Sequence, residues 1–177
     1  MIKLPIQLLL FLLSFSINLC AIPIFPFPQT EKGLIKLIET QKQTFIVTGE
    51  YLYSLSKNKM TELSRLPYHC NDATFFGSNI ILATDSGLVN YSLKDQQFSR
   101  FLDSSINYKI NRVTIDDLQQ LWFCSIFNGA YVVKKDAIVQ MATQSPVTYC
   151  IAATKDSAVW IGTNVGLYKI SSIDFSA

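Results

Sequence analysis

Val159-Trp160-Ile161-Gly162-Thr163-Asn164-Val165-Gly166-Leu167-Tyr168 joins a short apolar run to a polar turn and then to a second apolar run. The same outline occurs three more times upstream. It is Phe45-Ile46-Val47-Thr48-Gly49-Glu50-Tyr51-Leu52-Tyr53, then Ile81-Leu82-Ala83-Thr84-Asp85-Ser86-Gly87-Leu88-Val89, then Leu121-Trp122-Phe123-Cys124-Ser125-Ile126-Phe127-Asn128-Gly129-Ala130-Tyr131. Anchored on Leu52, Leu88, Ala130 and Leu167, the copies are spaced by 36, 42 and 37 residues. Five of the chain's seven glycines (Gly49, Gly87, Gly129, Gly162 and Gly166) fall inside the copies, and both tryptophans hold one repeat position. Rare residues do not align in this way by chance, so the chain is read as a repeat protein.

Each unit reads as four short strands. A leading strand such as Asn111-Arg112-Val113-Thr114-Ile115 is followed by a polar turn and the strand that carries Trp122 or Trp160. A tight turn ending at Gly87, Gly129 or Gly166 leads to a third strand, glycine supplying the positive φ that a hairpin needs. An outer strand closes the unit, as in Met60 to Leu63, Gln97 to Phe101 and Ala137 to Met141, where apolar and polar residues alternate with period two. Four antiparallel strands in about forty residues is the arithmetic of a propeller blade. The expected fold is all-β and β-propeller-like, with about four four-stranded antiparallel blades near 33–64, 68–102, 108–142 and 147–177. The last blade is expected to be incomplete, because only Ser171 to Ala177 follow its third strand, with Ile173-Asp174-Phe175 as a candidate stub. Trp122 and Trp160 are expected to fill the layers between blades.

The first 21 residues stand apart. Lys3 precedes the apolar run Leu8 to Leu13, and Ser14, Ser16 and Asn18 dilute it before Cys20-Ala21, the layout of a secretory signal. An uncleaved membrane anchor and lipidation at Cys20 are the alternatives, and they are the expected routes to a membrane. A Pro-rich lead-in, 22–32, follows; Ile22 to Pro28 is a candidate outer strand for the fourth blade. Removing 21 of 177 residues leaves 156, with 14 basic and 13 acidic side chains. That balance carries no basic stripe for nucleic acid. Of the cysteines, Cys70, Cys124 and Cys150 remain, so one bridge at most is expected, with Cys124 and Cys150 the candidate pair.

Signatures of catalysis are missing from the sequence. His69 is the single histidine, and no nucleophile elbow, zinc-protease motif or phosphate loop occurs. No catalytic residue, metal or cofactor is therefore assigned. Asp116-Asp117 reads as a solvated turn, since neighbouring strand residues point to opposite faces. His69 with Cys70, Cys124 and Cys150 lacks zinc-ligand spacing; Cys124 and Cys150 read as buried strand residues and His69 as a surface residue near a loop.

The repeat resembles the two-component regulator propeller family, whose pattern runs I-x-x-I-x-x-D-x-x-G-x-L-W-I-G-T-x-x-G-L-Y. Residues 159–169 match it most fully; the third copy keeps Ile115-Asp116 and Leu121-Trp122 but has Gln119-Gln120 and Cys124 where the family prefers Gly. The first two copies keep the strand pattern with Thr48 or Thr84 and lack the Trp. The resemblance covers about 33–171. It implies the periplasmic sensor portion of hybrid histidine kinases of Bacteroidota, which respond to oligosaccharides; hence an exported protein, in the periplasm or on the outer face of the inner membrane. Family members typically have seven-bladed rings followed by a membrane helix and a kinase. This four-blade sequence is thus expected to be a truncated or split receptor, with further blades or a second copy as candidate partners.

In a propeller the connections between blades share one rim with the turns between second and third strands. That rim collects Glu50, Arg65, Tyr68, Asp85, Asn107, Tyr108, Phe127, Asn128 and Asn164, the amides, carboxylates and rings suited to a sugar. The opposite rim is rich in lysine and reads as solvated. Ligand recognition, of an oligosaccharide by the resemblance, is the expected role; a stand-alone envelope protein-interaction scaffold is the alternative.

Overall fold

The structure is a computed structural model that describes residues 33–57, 59–102 and 106–175. The expected signal segment, Cys20, the Pro-rich lead-in and its candidate strand lie outside the described residues. Alternating apolar residues and Gly-containing turns produce fifteen strands among those described. Blade 1 comprises β1 (Leu34–Glu39), β2 (Thr44–Thr48), β3 (Tyr51–Ser56) and β4 (Lys59–Arg65). Blade 2 comprises β5 (Cys70–Phe76), β6 (Asn79–Thr84), β7 (Gly87–Ser92) and β8 (Gln97–Arg100). Blade 3 comprises β9 (Arg112–Ile115), β10 (Leu121–Ser125), β11 (Gly129–Lys134) and β12 (Ala137–Gln140). Blade 4 comprises β13 (Thr148–Thr154), β14 (Ala158–Thr163) and β15 (Gly166–Ser171). Every sheet is an antiparallel meander in chain order, and the last has three strands.

The register repeats with the sequence. Ile46 faces Tyr53, Leu82 faces Val89, Phe123 faces Tyr131 and Ile161 faces Tyr168 across the central hairpins. A side-chain oxygen closes each of these turns. Thr48 Oγ1 donates to Tyr51 O, Thr84 Oγ1 to Gly87 O at 2.7 Å and Thr163 Oγ1 to Gly166 O at 2.9 Å. Each also accepts a backbone N–H two residues on, from Glu50, Ser86 and Val165. In blade 3 Ser125 holds the place, accepting from the Asn128 amide. Gly87 has φ +100, and a Cβ there would lie 2.1 Å from the Ile106 carbonyl oxygen, so the turn admits no side chain.

Adjacent strand residues point to opposite sheet faces, and this sorts each blade's apolar residues into two sets. Phe45, Val47 and Leu52 of blade 1 meet Ile80, Leu82 and Val89 of blade 2. Ile81, Ala83 and Leu88 of blade 2 meet Val113, Leu121 and Phe123 of blade 3. Trp122, Cys124, Ala130 and Val132 of blade 3 meet Ile151, Val159 and Ile161 of blade 4. Three apolar cores thus join four blades.

Trp122 lies in the third core, fully buried, as expected of an inter-blade tryptophan. Trp160 does not fill such a layer. It projects from the far face of blade 4, half-buried, with the Lys169 ammonium 5.4 Å from its ring centroid. The repeat position gives both tryptophans one direction, but only Trp122 has a blade on that side among the described residues. The expected stub also takes another course. Ser172 to Asp174 form a turn, and the Phe175 ring lies 5.8 Å from that of Trp122, with the Lys134 ammonium 4.5 Å from the Phe175 ring centroid. Among the described residues, Ser172 to Phe175 cap blade 3 instead of adding a strand to blade 4.

Asp116 is likewise no solvated turn residue: it is 3% exposed. Its carboxylate accepts from the backbone N–H groups of Leu118 (3.0 Å) and Gln120 (2.8 Å) and from the Trp122 indole N–H (2.8 Å). A buried charge needs such donors; here they fold the turn and seat the tryptophan together.

Candidate functional site

Two kinds of loop meet on one rim, and backbone hydrogen bonds tie them. Leu66 and Cys70 donate to Glu50 and Gly49, Asp85 to His69, and Ile110 to Thr84. Thr148 donates to Ile126 and Asn164 to Val147 in the later blades. The turns between second and third strands of blades 1 to 3 are thereby fixed to the connection entering the next blade, and that of blade 4 to the connection entering its own.

The rim residues singled out from sequence occupy this edge in small groups. Glu50 and Arg65 form an exposed ion pair, N to O 3.4 Å, with Arg65 5.9 Å from the Tyr51 ring centroid. Asp85 accepts from Lys109 at 2.9 Å and from the Asn71 amide at 2.9 Å. Burial alone would raise the Asp85 pKa, but these two hydrogen bonds and the Lys109 charge bring it below the usual carboxylate range. Asn128 is used by its own hairpin: its amide donates to Ser125 Oγ, and its carbonyl accepts from Tyr131 and Gln140. Phe127 is 77% exposed, Tyr68 is exposed, and Asn164 is tied through its backbone. Tyr108 points elsewhere, lining a cavity of about 540 Å³ with Ile106, Tyr131 and Ile138 against the outer hairpin of blade 3. Burial, then the neighbouring Tyr131 hydroxyl, pushes its own hydroxyl pKa up.

A second set of polar residues lies on the inner wall, where the leading strands β1, β5, β9 and β13 converge. They border a cavity of about 560 Å³ that includes Lys36, Asn71, Asp72, Arg112, Thr114 and Ala152. Asp72 is 7% exposed and accepts from the backbone N–H groups of Ala73 and Val113, with Lys36 Nζ at 3.3 Å. It thereby pins blade 3 to blade 2. A register shift between Cys70 and Asp72 makes Asn71 the extra residue of a bulge. Bulges re-aim side chains, and the Asn71 amide reaches both Asp85 on the rim and the Ile110 carbonyl at 3.0 Å. Arg112 Nη1 donates to the carbonyls of Asn111 (2.9 Å) and Asn71 (3.4 Å). The wall is therefore wired to the rim through Asn71. Sequence reasoning directed at loops passed over these strand residues; the available signal was their place in leading strands, which a propeller aims at its axis.

Among the described residues the cysteines are unbridged. Cys70 and Cys124 are buried and Cys150 is exposed, so Cys150 is not the buried strand residue expected. It pairs with Gly162 on the face of blade 4 that carries Trp160, and Gly162 leaves room for its sulfur: a Cβ there would lie 2.6 Å from Sγ. Burial pushes the thiols of Cys70 and Cys124 up to about 12, the range of inert thiols. Among the described residues no three His, Cys, Asp or Glu side chains gather as metal ligands. His69 is exposed, its ring lying against Gly49.

No family model matches the chain, and no curated protein matches its sequence. Solved structures do match its shape. The extracellular domain assigned to the hybrid two-component system BT3049 of B. thetaiotaomicron superposes with a TM-score of 0.65 at 18% identity, over 83% of this chain and 24% of that one. A catalytically inactive virginiamycin B lyase of Staphylococcus aureus, solved with quinupristin, gives 0.63 at 11% identity, over 85% and 59%. The computationally designed Ika4 protein gives 0.60 at 9% identity, over 78% and 91%. The chain spans about a quarter of the length of the BT3049 domain. At such identities the likeness is one of backbone architecture: four consecutive β-propeller blades, of the kind that build the extracellular domains of two-component systems.

Proposed function

We propose that this chain is an exported, non-catalytic propeller segment that recognises an oligosaccharide as part of a two-component receptor. The observation that carries this reading is the inner-wall cavity, which holds polar side chains from three blades and connects through Asn71 to Asp85 on the rim. Convergent polar groups over small apolar residues are what orient a small molecule. The shared architecture with extracellular domains of two-component systems supports the sensor reading. A passive role fits the residue inventory, since the lone His69 packs on a turn and the buried thiols are held neutral.

The test is titration with a panel of oligosaccharides, followed by thermal shift and calorimetry. Binding that raises the melting temperature is expected, weakened in Asp85→Ala and Glu50→Ala while melting without ligand is little changed. A silent panel counts against recognition. The second reading, an envelope interaction scaffold, rests on the open side of blade 4, where Tyr149, Val165 and Leu167 are more than half exposed beside Trp160. Retention of an envelope protein by the chain, lost in Leu167→Asp, would favour it.

A further inference from the structure

We infer that the inner-wall cavity selects an acidic saccharide, one bearing a uronate carboxylate, with Arg112 as the carboxylate-binding residue. The inference rests on the recognition reading above and names the ligand class for it. Three ionised side chains line the cavity: Lys36, Asp72 and Arg112. Asp72 is already answered by Lys36 and by two backbone N–H groups. Arg112 is different. It is exposed at the start of β9, and among the described residues no carboxylate lies within ion-pair distance of it. The two carbonyls it contacts are both reached by Nη1. That anchors the guanidinium to blades 2 and 3 and leaves Nε and Nη2 without a partner among the described residues.

The consequence is a held fork with one edge facing the cavity. A guanidinium fork matches the two oxygens of a carboxylate, and immobilising it beforehand reduces the ordering cost of binding. The lining carries one positive charge in excess, two cations against one anion, so a neutral sugar leaves that charge unanswered. Ala152, Ala153 and Ile151 on β13 supply the small apolar surface against which a sugar ring's C–H groups rest. The carboxylate end of the ligand lies toward Arg112 and the neutral rings toward β13.

The experiment compares uronate trisaccharides of galacturonate, mannuronate and glucuronate type with their neutral counterparts and with sodium acetate. Calorimetry is run at low salt on the full chain and on Arg112→Gln and Arg112→Lys. At least one uronate should bind well above its neutral counterpart, lose about tenfold in affinity in Arg112→Gln, and recover partly in Arg112→Lys. Arg112 is exposed and in no ion pair among the described residues, so losing its two contacts to carbonyls should leave the melting temperature little changed, which separates binding from folding. Equal binding of neutral and acidic sugars, or an Arg112→Gln variant that binds uronate as the parent does, overturns the inference and leaves the recognition reading intact. Acetate binding as tightly as the uronates reduces the site to a simple anion site. Binding of nothing in the panel overturns both.

Discussion

Trp122 and Trp160 hold the same position in consecutive blades, yet one is fully buried and the other lies half-open on the far side of blade 4. The difference extends to their surroundings. The residues beside Trp122, namely Cys124, Ala130 and Val132, are all 0% exposed, whereas Leu167, which corresponds to Ala130, is 64% exposed. Turn chemistry differs too. Asp116, six residues before Trp122, accepts the indole N–H, while Thr154, six before Trp160, is occupied by Asp156 and the Ala158 carbonyl. A repeat specifies the direction of a side chain; the next blade supplies its burial.

The largest expected effect is on stability. Trp122→Ala should cost about 3–5 kcal/mol in denaturant unfolding, as for large buried aromatics, and Trp160→Ala about 1 kcal/mol or less. Equal costs would break the comparison, because they would require Trp160 to be buried. Next, Asp116→Ala removes the acceptor for three N–H donors and should cost about 2 kcal/mol, whereas Thr154→Ala should cost less than half of that. A blue shift of Trp122 emission lost in Asp116→Ala alone would sharpen the assignment.

The smallest effect concerns the thiols. At neutral pH a maleimide should label Cys150 while Cys70 and Cys124 stay unmodified until the protein unfolds, read by peptide mass spectrometry. Folding raises the pKa of Cys70 and Cys124 from 9.0 to about 12. Their contribution is therefore whole below pH 9 and lost as pH rises from 9 toward 12, because the unfolded thiols ionise first. By pH 10 the loss should be about 1 kcal/mol per thiol. Cys124→Ala should flatten the alkaline slope; an unchanged slope would mean the thiol is not shielded.

The blades were legible because their punctuation is rare: Gly87, Gly129 and Gly166 close turns, and two tryptophans mark a phase. The register of β6 with β7 and of β14 with β15 follows directly. Trp160 was misjudged because periodicity carries no information about what lies beyond the last copy. Asp116 was misjudged because an acidic residue in a polar turn is ordinarily solvated; only the fold brings Trp122 over its oxygens. The rim residues were named from topology, but the wall was passed over because the bulge at Asn71 and the path of Arg112 across two strands belong to packing, which strand alternation does not encode.

The hydroxyl-closed hairpins bear on how the chain reaches this arrangement. A turn that satisfies its own carbonyl and N–H within three residues can be set before any distant partner arrives. Each blade's central hairpin is thus a short-range closure, and the ordering entropy of long loops enters only when blades dock edge to edge. Assembly then proceeds as in linear repeat arrays, by adding one preformed unit to the next. Blade 4, which among the described residues docks on one side, should exchange its amide hydrogens ahead of blade 2, which is held on both.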